Sequence, residues 1–403
     1  MLKLYNTFGR KTELFRPVGG KTVTVFTCGP SVYQRSHIGN FRTFLFEDVL
    51  VRYLQYSGYT VLRGMNLTDI EDKAIEEASK KKISVKRLAG ENIKTFIREM
   101  KLLGAAIPDY LPRASGSVDE AVGIIEKLIK LNIAYWHKGN VYFDPTKFPG
   151  FGKLYGLDMS RWPPETRRFH KDTYPGMRWN LGDFILWHGY REGDRDYWDT
   201  RLGRGRPSWN VQDPSMIIRY FDETLSLYCG GIDNLYRHHD YSRAILESIR
   251  PYPMARFWLH CRHLHVNGRK MSKSSANIYY TDTLIKRGFT WEEIRFFLIY
   301  GHYRETLNYS DRLMRAAANR LKGFRTMVKT IGKKAVSIAE PASAAQIRDI
   351  FRGRMDNDLE VRKAFDALYD FISGTEPGKL RPEEAAGIIQ GLRETDTVLR
   401  VIY

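Results

Sequence analysis

The stretch from Thr22 to Met65 restricts the fold more than any other part of this chain. Thr22–Cys28 (TVTVFTC) is a β-branched run that stops at Gly29-Pro30, and Phe41–Tyr56 carries apolar residues at helical spacing after a Gly39-Asn40 turn. Thr60–Met65 (TVLRGM) then reads as a second strand. Together they make a β-α-β unit whose first loop lies at the carboxyl end of its first strand, where open α/β sheets bind ligands.

Residues 115–207 change character. They are rich in Trp, Tyr, Gly, Pro and Arg (RWPPETRRFH, HGYREGDRDYWDTRLGRGRP) with few long periodic stretches, which marks an insertion. Short strand-like runs return at Leu225–Gly231, Phe257–Cys261 and Leu264–Val266, with a helix expected over His238–Ile249, so the sheet resumes there. From Trp291 onward helices dominate, at Asp311–Thr330, Ala344–Arg354 and Leu359–Ile372, and a last one follows Arg381-Pro382-Glu383-Glu384. The expected architecture is α/β: a split Rossmann-type parallel sheet with an inserted connective domain and a C-terminal α-helical bundle. Its parts are expected at residues 1–114, 115–207, 208–290 and 291–403. A chain of 403 residues with 43% hydrophobic content can bury that many cores.

Charge and cysteines narrow the class. The net charge is +18, and residues 311–403 hold 17 Lys and Arg against 13 Asp and Glu, so most of the excess lies before them and is not a basic tail. A polyanion is the partner this implies, because a basic protein gains by releasing counterions from phosphates. No run of about 18 apolar residues and no charged-then-apolar leader occurs, which predicts no membrane contact and a cytoplasmic location. The three cysteines, Cys28, Cys229 and Cys261, are odd in number and widely spaced, which favours reduced thiols or a metal ligand over a disulfide framework.

Two short segments carry the chemistry. In His37-Ile38-Gly39-Asn40 the glycine lets a ligand approach the backbone, and His37 and Asn40 can hydrogen-bond phosphate oxygens at the amino end of the following helix, where the dipole favours anions. In Lys270-Met271-Ser272-Lys273-Ser274 two lysines flank small hydroxyl residues on a loop that follows Gly268.

These segments sit within a longer ordered set: LYNTFGRK at Leu4–Lys11, CGPSVY at Cys28–Tyr33, HIGNFR at His37–Arg42, NLTDIEDK at Asn66–Lys73, DFILWH at Asp183–His188, GRPSWN at Gly205–Asn210, GGID with HHD at Gly230–Asp240, and KMSKS at Lys270–Ser274. In content and order they resemble the cysteinyl-tRNA synthetases of class I, and also the mycothiol-pathway cysteine ligase. The resemblance covers roughly residues 2–310. It implies a class I catalytic core that uses ATP and Mg2+ to activate an amino acid as its adenylate and then acylates the acceptor end of tRNA. It also implies that His37, Asn40, Lys270 and Lys273 stabilise transition-state charge, and that Gly39, Gly230, Gly231, Asp233, Met271, Ser272 and Ser274 bind ATP. Cys28, Thr68, Trp209 and Asp233 would line the amino-acid pocket. Two alternatives come with it: a ligase that passes the activated amino acid to a small amine or other carrier, and a noncatalytic tRNA-binding paralogue.

The resemblance also implies a Zn2+ site, which in the family is made of two cysteines, a histidine and often a glutamate. Here Cys28 and His238 match, but Asp213 stands at the second cysteine and Ser242 at the glutamate. The expected ligands are therefore Cys28, Asp213 and His238, with Asp240 as partial compensation and His239 as a packed core histidine. The competing expectation is that metal is lost and Asp213 faces a cationic group. Tyr228 and Cys229 replace the usual His-Gly before Gly230. MDNDLEVRKAFDALYDFI at Met355–Ile372 resembles the helical domain that follows the core, and the small anticodon-reading domain beyond it is expected to be absent.

Overall fold

The computed structural model describes residues 1–161, 182–271, 277–336 and 342–403. Four parallel strands form its central sheet, in the order Ala255–Cys261, Leu225–Gly231, Thr22–Thr27, Thr60–Met65. From Thr22–Thr27 the chain leaves through the helix Ile38–Tyr56 to Thr60–Met65 on one side. From Leu225–Gly231 it leaves through Tyr241–Ile249 to Ala255–Cys261 on the other. The two middle strands pair in register, Tyr228 beside Phe26 and Cys229 beside Thr27. Connections diverge from that pair, so a crevice opens at its carboxyl ends.

Thr22–Thr27 is buried from Val23 onward, as a central parallel strand covered on both faces must be. The helix Ile38–Tyr56 is buried on nearly all sides and takes polar groups inside with it. Arg42 donates to the carbonyls of Arg262, Leu298, His302 and Glu305, while Asp48 pairs with Arg295 at 2.7 Å. Arg295 in turn donates to Leu103 O and Leu399 O, which joins the C-terminal helices to the sheet layer. Those helices are Asp311–Gly332, Ala342–Met355, Val361–Ser373 and Pro382–Leu399.

Other elements depart from the sequence reading. Residues 134–207 carry a five-stranded antiparallel sheet, Ala134–His137, Asn140–Phe143, Phe184–Gly189, Gly203–Pro207 and Trp198–Thr200, preceded by a helix Val118–Lys130. Its strands are short and its alternation is masked by Trp, Tyr and Arg whose faces are half-exposed. The helices Asp72–Lys80, Val85–Leu102 and Trp209–Tyr220 were not legible either, the last because Pro214 sits inside it. The expected helix over His238–Ile249 is split: Leu235–Asp240 is a π turn, and regular α-helix begins at Tyr241. Among the described residues no helix is long and apolar enough to cross a membrane.

Candidate active site

A cleft of 280 Å³ opens at the carboxyl ends of the middle strands. His37, Asn40, Cys28, Asn66, Thr68, Trp209, Gly231, Asp233 and His238 all line it. Residues far apart in sequence meet here because two β-strand ends and a helix start converge on one side of the sheet.

His37 is the N-cap of Ile38–Tyr56, and its bonding with Asn40 is reciprocal. Asn40 N donates to His37 Nδ1 (3.3 Å) and His37 N donates to Asn40 Oδ1 (3.0 Å). The motif is thus a capping box built from His and Asn instead of the commoner Ser and Glu. Burial lowers the His37 imidazole to about 4. The ring is neutral near pH 7, and because Nδ1 accepts, its proton sits on Nε2. Capping uses one polar atom of each side chain and leaves the Nε2–H and the Asn40 amide protons for a ligand at the helix terminus.

The second motif touches the first. A methyl group added at Gly39 would overlap Met271 Cε and come within 3.1 Å of the His37 ring, so glycine makes room for the methionine. Met271 is buried, and Lys270 is exposed on the strand Arg269–Lys270. That strand pairs back to Leu264–Val266 across Asn267-Gly268, both at positive φ (50° and 78°), the backbone a tight two-residue hairpin turn demands. Asn277 Nδ2 donates to Lys270 O (3.2 Å). Ser272, Lys273 and Ser274 lie outside the described residues. Just beyond them, Tyr279 O accepts from Ile38 N (3.0 Å), and the cleft residue Arg35 reaches Glu99 and Asp282 Oδ2 (2.8 Å).

Beside Cys28 the centre is Asp213, which is fully buried. Its Oδ2 accepts from Tyr228 OH (2.5 Å), His238 Nε2 (2.8 Å) and Cys28 Sγ (3.5 Å), and its Oδ1 accepts from Asn66 Nδ2 (2.6 Å). Asn66 is oriented by its own Oδ1, which accepts from Gly29 N. Burial by itself would raise the Asp213 carboxyl, but the His238 ring and the bonds from Tyr228 and Cys28 outweigh it and keep it below the ordinary carboxylate value. Burial and the Asp213 charge push the Cys28 thiol well up.

A second line of contacts runs the other way from Cys28. Its Sγ is 2.9 Å from His239 Nε2, His239 Nδ1 is 2.8 Å from His260 Nε2, and His260 Nδ1 is 2.9 Å from Thr7 Oγ1. Burial, with His260 and His238 adding to it, holds His239 well below the ordinary imidazole value, and burial puts His260 at about 3. Two neutral rings carry one proton each. The arrangement that satisfies every link has Thr7 donating to His260, His260 to His239, His239 to Cys28 and Cys28 to Asp213. Every donor along the chain then points toward one carboxylate.

Several expected residues behave differently from their reading. Asp240 does not reach Cys28: its Oδ2 accepts from Tyr155 N (3.2 Å), its Oδ1 lies 3.8 Å from Arg243, and burial raises it to about 7. Gly230 is not on the cleft wall, since a methyl there would crowd the His239 ring (2.7 Å) and Cys28 Cβ (3.2 Å), whereas Gly231 does line it. Ser242 is buried and its hydroxyl has no hydrogen-bond partner among the described residues. The π turn lets His238 and His239, adjacent in sequence, both face inward, with Trp209 stacked on His238 at 4.1 Å. Sequence reasoning passed over Asn66, Thr7, His260 and Arg35. Asn66 and Thr7 stand in the matched segments NLTDIEDK and LYNTFGRK, so the signal for those two was present.

Known proteins identify the family. A family model described as the tRNA synthetases class I (C) catalytic domain matches residues 14–319. The cysteine--tRNA ligase of Chlamydia pneumoniae is 36% identical over 100% of this chain and 86% of its own length, and that of Solibacter usitatus is 34% identical over 100% and 87%. In fold the chain is similar to the methionyl-tRNA synthetase of Mycobacterium tuberculosis solved with methionyl-adenylate, at a TM-score of 0.63 and 15% identity over 95% of this chain and 90% of that one. It is also similar to an Agrobacterium radiobacter LeuRS solved with tRNA and LeuAMS, at a TM-score of 0.68 and 14% identity over 96% and 85%. Matched along its whole length in sequence and nearly so in fold, the chain belongs to the cysteinyl family of class I aminoacyl-tRNA synthetases.

Proposed function

We propose that this chain activates an amino acid with ATP as an aminoacyl-adenylate and transfers it to the acceptor end of tRNA. The observation that carries the reading is the double use of His37 and Asn40, which cap a helix with one polar atom each and line the cleft with donors still available. Those donors hold the ATP phosphates, whose charge Mg2+ balances, at a helix terminus that favours anions. The amino-acid carboxylate attacks the α-phosphorus and pyrophosphate leaves. Lys270 and Lys273 neutralise the departing charge, so the gain is made mostly in the transition state. Asp233, exposed at the cleft mouth, is suited to an ammonium or ribose hydroxyl. A tRNA ribose hydroxyl then attacks the activated carbonyl and AMP leaves.

The relatives named as cysteine--tRNA ligases support tRNA as acceptor, as does the +18 charge. The helix Asp311–Gly332 adds exposed Arg312, Arg315, Lys322 and Lys329. Pyrophosphate exchange with each of the twenty amino acids tests the first step, and exchange with none of them would sink the reading. Lys273→Ala should slow exchange by more than about tenfold. Bulk tRNA incubated with the enzyme, ATP and the activated amino acid should become acylated, and good exchange without acylation would point instead to a small-molecule acceptor.

A further inference from the structure

Zinc is the ion the family implies at this pocket, and the donor types are present: Cys28, His238 and His239 bring one donor atom each within 4.8 Å of one another. The separations do not suit it. With bonds of 2.0–2.3 Å, a tetrahedral zinc site holds its ligand atoms about 3.3–3.8 Å apart. Cys28 Sγ and Asp213 Oδ2, at 3.5 Å, fall within that range, but Cys28 Sγ and His239 Nε2 are 2.9 Å apart and His238 Nε2 and Asp213 Oδ2 are 2.8 Å apart, both direct hydrogen-bond lengths. The Tyr228 hydroxyl also stands against two of the expected ligands, 2.5 Å from Asp213 Oδ2 and 3.6 Å from Cys28 Sγ. An ion between Cys28 and Asp213 would have to break the Tyr228 bond and at least one histidine bond together. The residues present do not fit the metal.

The same contacts decide what Asp213 can recognise. It is fully buried, is absent from the cleft wall, and already accepts four hydrogen bonds. A cationic side chain would therefore find no carboxylate at this end. What the wall offers is Cys28, Asn66, Thr68, Trp209 and His238. The Trp209 indole is stacked on His238 and lines the cleft beside it, and His238 Nδ1 is buried with no partner among the described residues. A donor from a substrate would satisfy it.

Resting on the adenylation reading above, we propose that this chain selects its amino acid without a metal ion. A small uncharged side chain of the thiol or hydroxyl class is read directly by Cys28, Thr68 and His238, over a floor fixed by Asp213 and Tyr228. Cysteine and serine are the members of that class to try first.

The test uses the full chain purified without added zinc. Elemental analysis should find less than about 0.1 zinc per chain, and a zinc-selective chelator should leave exchange unchanged within about twofold. Exchange should be confined to cysteine, serine and similarly small neutral amino acids. Tyr228→Phe keeps the ring and removes the hydroxyl; it should raise the KM for the amino acid by about tenfold with the KM for ATP unchanged. An unchanged thermal midpoint would show that it still folds. One zinc per chain, loss of exchange on chelation, or activation of lysine or arginine would overturn the proposal. Should no amino acid support exchange, the adenylation reading fails. Zinc content and calorimetric binding of free cysteine, serine and lysine would still decide the pocket: zinc-free binding of cysteine or serine supports it, while binding of lysine or of none overturns it.

Discussion

At the end of the cleft proposed for the nucleotide, His37 and Asn40 satisfy a helix terminus with one polar atom each and keep the second in reserve. At the end proposed for the amino acid, Asp213 accepts from Tyr228, His238, Cys28 and Asn66 and keeps nothing back. The first is a local device, made by residues three apart that any chain could carry. The second is assembled from the Thr22–Thr27 strand end, the loop after Met65, the Trp209–Tyr220 helix, the Leu225–Gly231 strand and a π turn. Local devices can be lost with little harm to the fold, whereas a buried network holds the fold that contains it.

That contrast predicts where substitutions register. Asp213→Ala leaves Tyr228, His238 and Asn66 with donors buried and unmet, and should cost about 3–5 kcal/mol of unfolding free energy in denaturant. Asp213→Asn, which keeps an acceptor, should cost less. A stable Asp213→Ala protein that has lost only activity would reverse the assignment and make Asp213 a ligand of something absent from these contacts.

His37→Ala should behave the other way. Losing one donor to developing phosphate charge slows exchange by about 10²–10³-fold, comparable to an oxyanion-hole donor, while the lost cap removes only about 1 kcal/mol of stability. Equal losses in both, read from exchange kinetics and denaturation on the same preparations, would erase the distinction between the two ends.

The two ends also differ in how far the sequence discloses them. Thr60–Met65 and Leu225–Gly231 could be bounded from short apolar runs and glycines alone, and the turn before Phe41 announces a helix. That helix begins earlier, at Ile38, because His37 and Asn40 cap it. The convergence of Cys28, Asn66, Asp213, Tyr228 and His239 leaves no periodic trace, since each arrives on a separate element. Identity alone is not enough there: Tyr228 stands out as a replacement for the family's usual residue, but nothing in the sequence says that its hydroxyl donates to the Asp213 carboxylate. Asp240, an acid beside two histidines, reads as a metal partner, yet the π turn directs it to Tyr155.

A smaller effect follows from the His37 ring. Burial lowers it to about 4 from an ordinary 6.5, so over that window the unfolded chain takes up a proton that the native state refuses. Stability held by the neutral ring is therefore complete above pH 6.5 and is lost as pH falls toward 4, by about 2 kcal/mol between 7.5 and 4.5. Taking the difference in unfolding free energy between the parent and His37→Gln at each pH cancels the other titrating groups. A difference that does not change with pH would mean the ring is hydrated, and the neutral-donor role at the nucleotide end would fall.

Gly39→Ala gives the smallest change and the finest test of the nucleotide end. Two effects oppose each other in stability: alanine is the better helix former by about 1 kcal/mol, and the added methyl meets Met271 Cε and the His37 ring. Met271 is the end of a flexible side chain and can give way, so the fold should stay within about 1 kcal/mol of the parent. Giving way moves Met271, and with it the segment that carries Lys270, off the turn proposed to bind phosphate. The KM for ATP should rise about tenfold with the KM for the amino acid unchanged. Pairing the change with Met271→Ala removes the clash and should return most of the loss. An unaltered KM for ATP in the single variant would mean that the methionine only packs there, and the two motifs would be neighbours without being coupled.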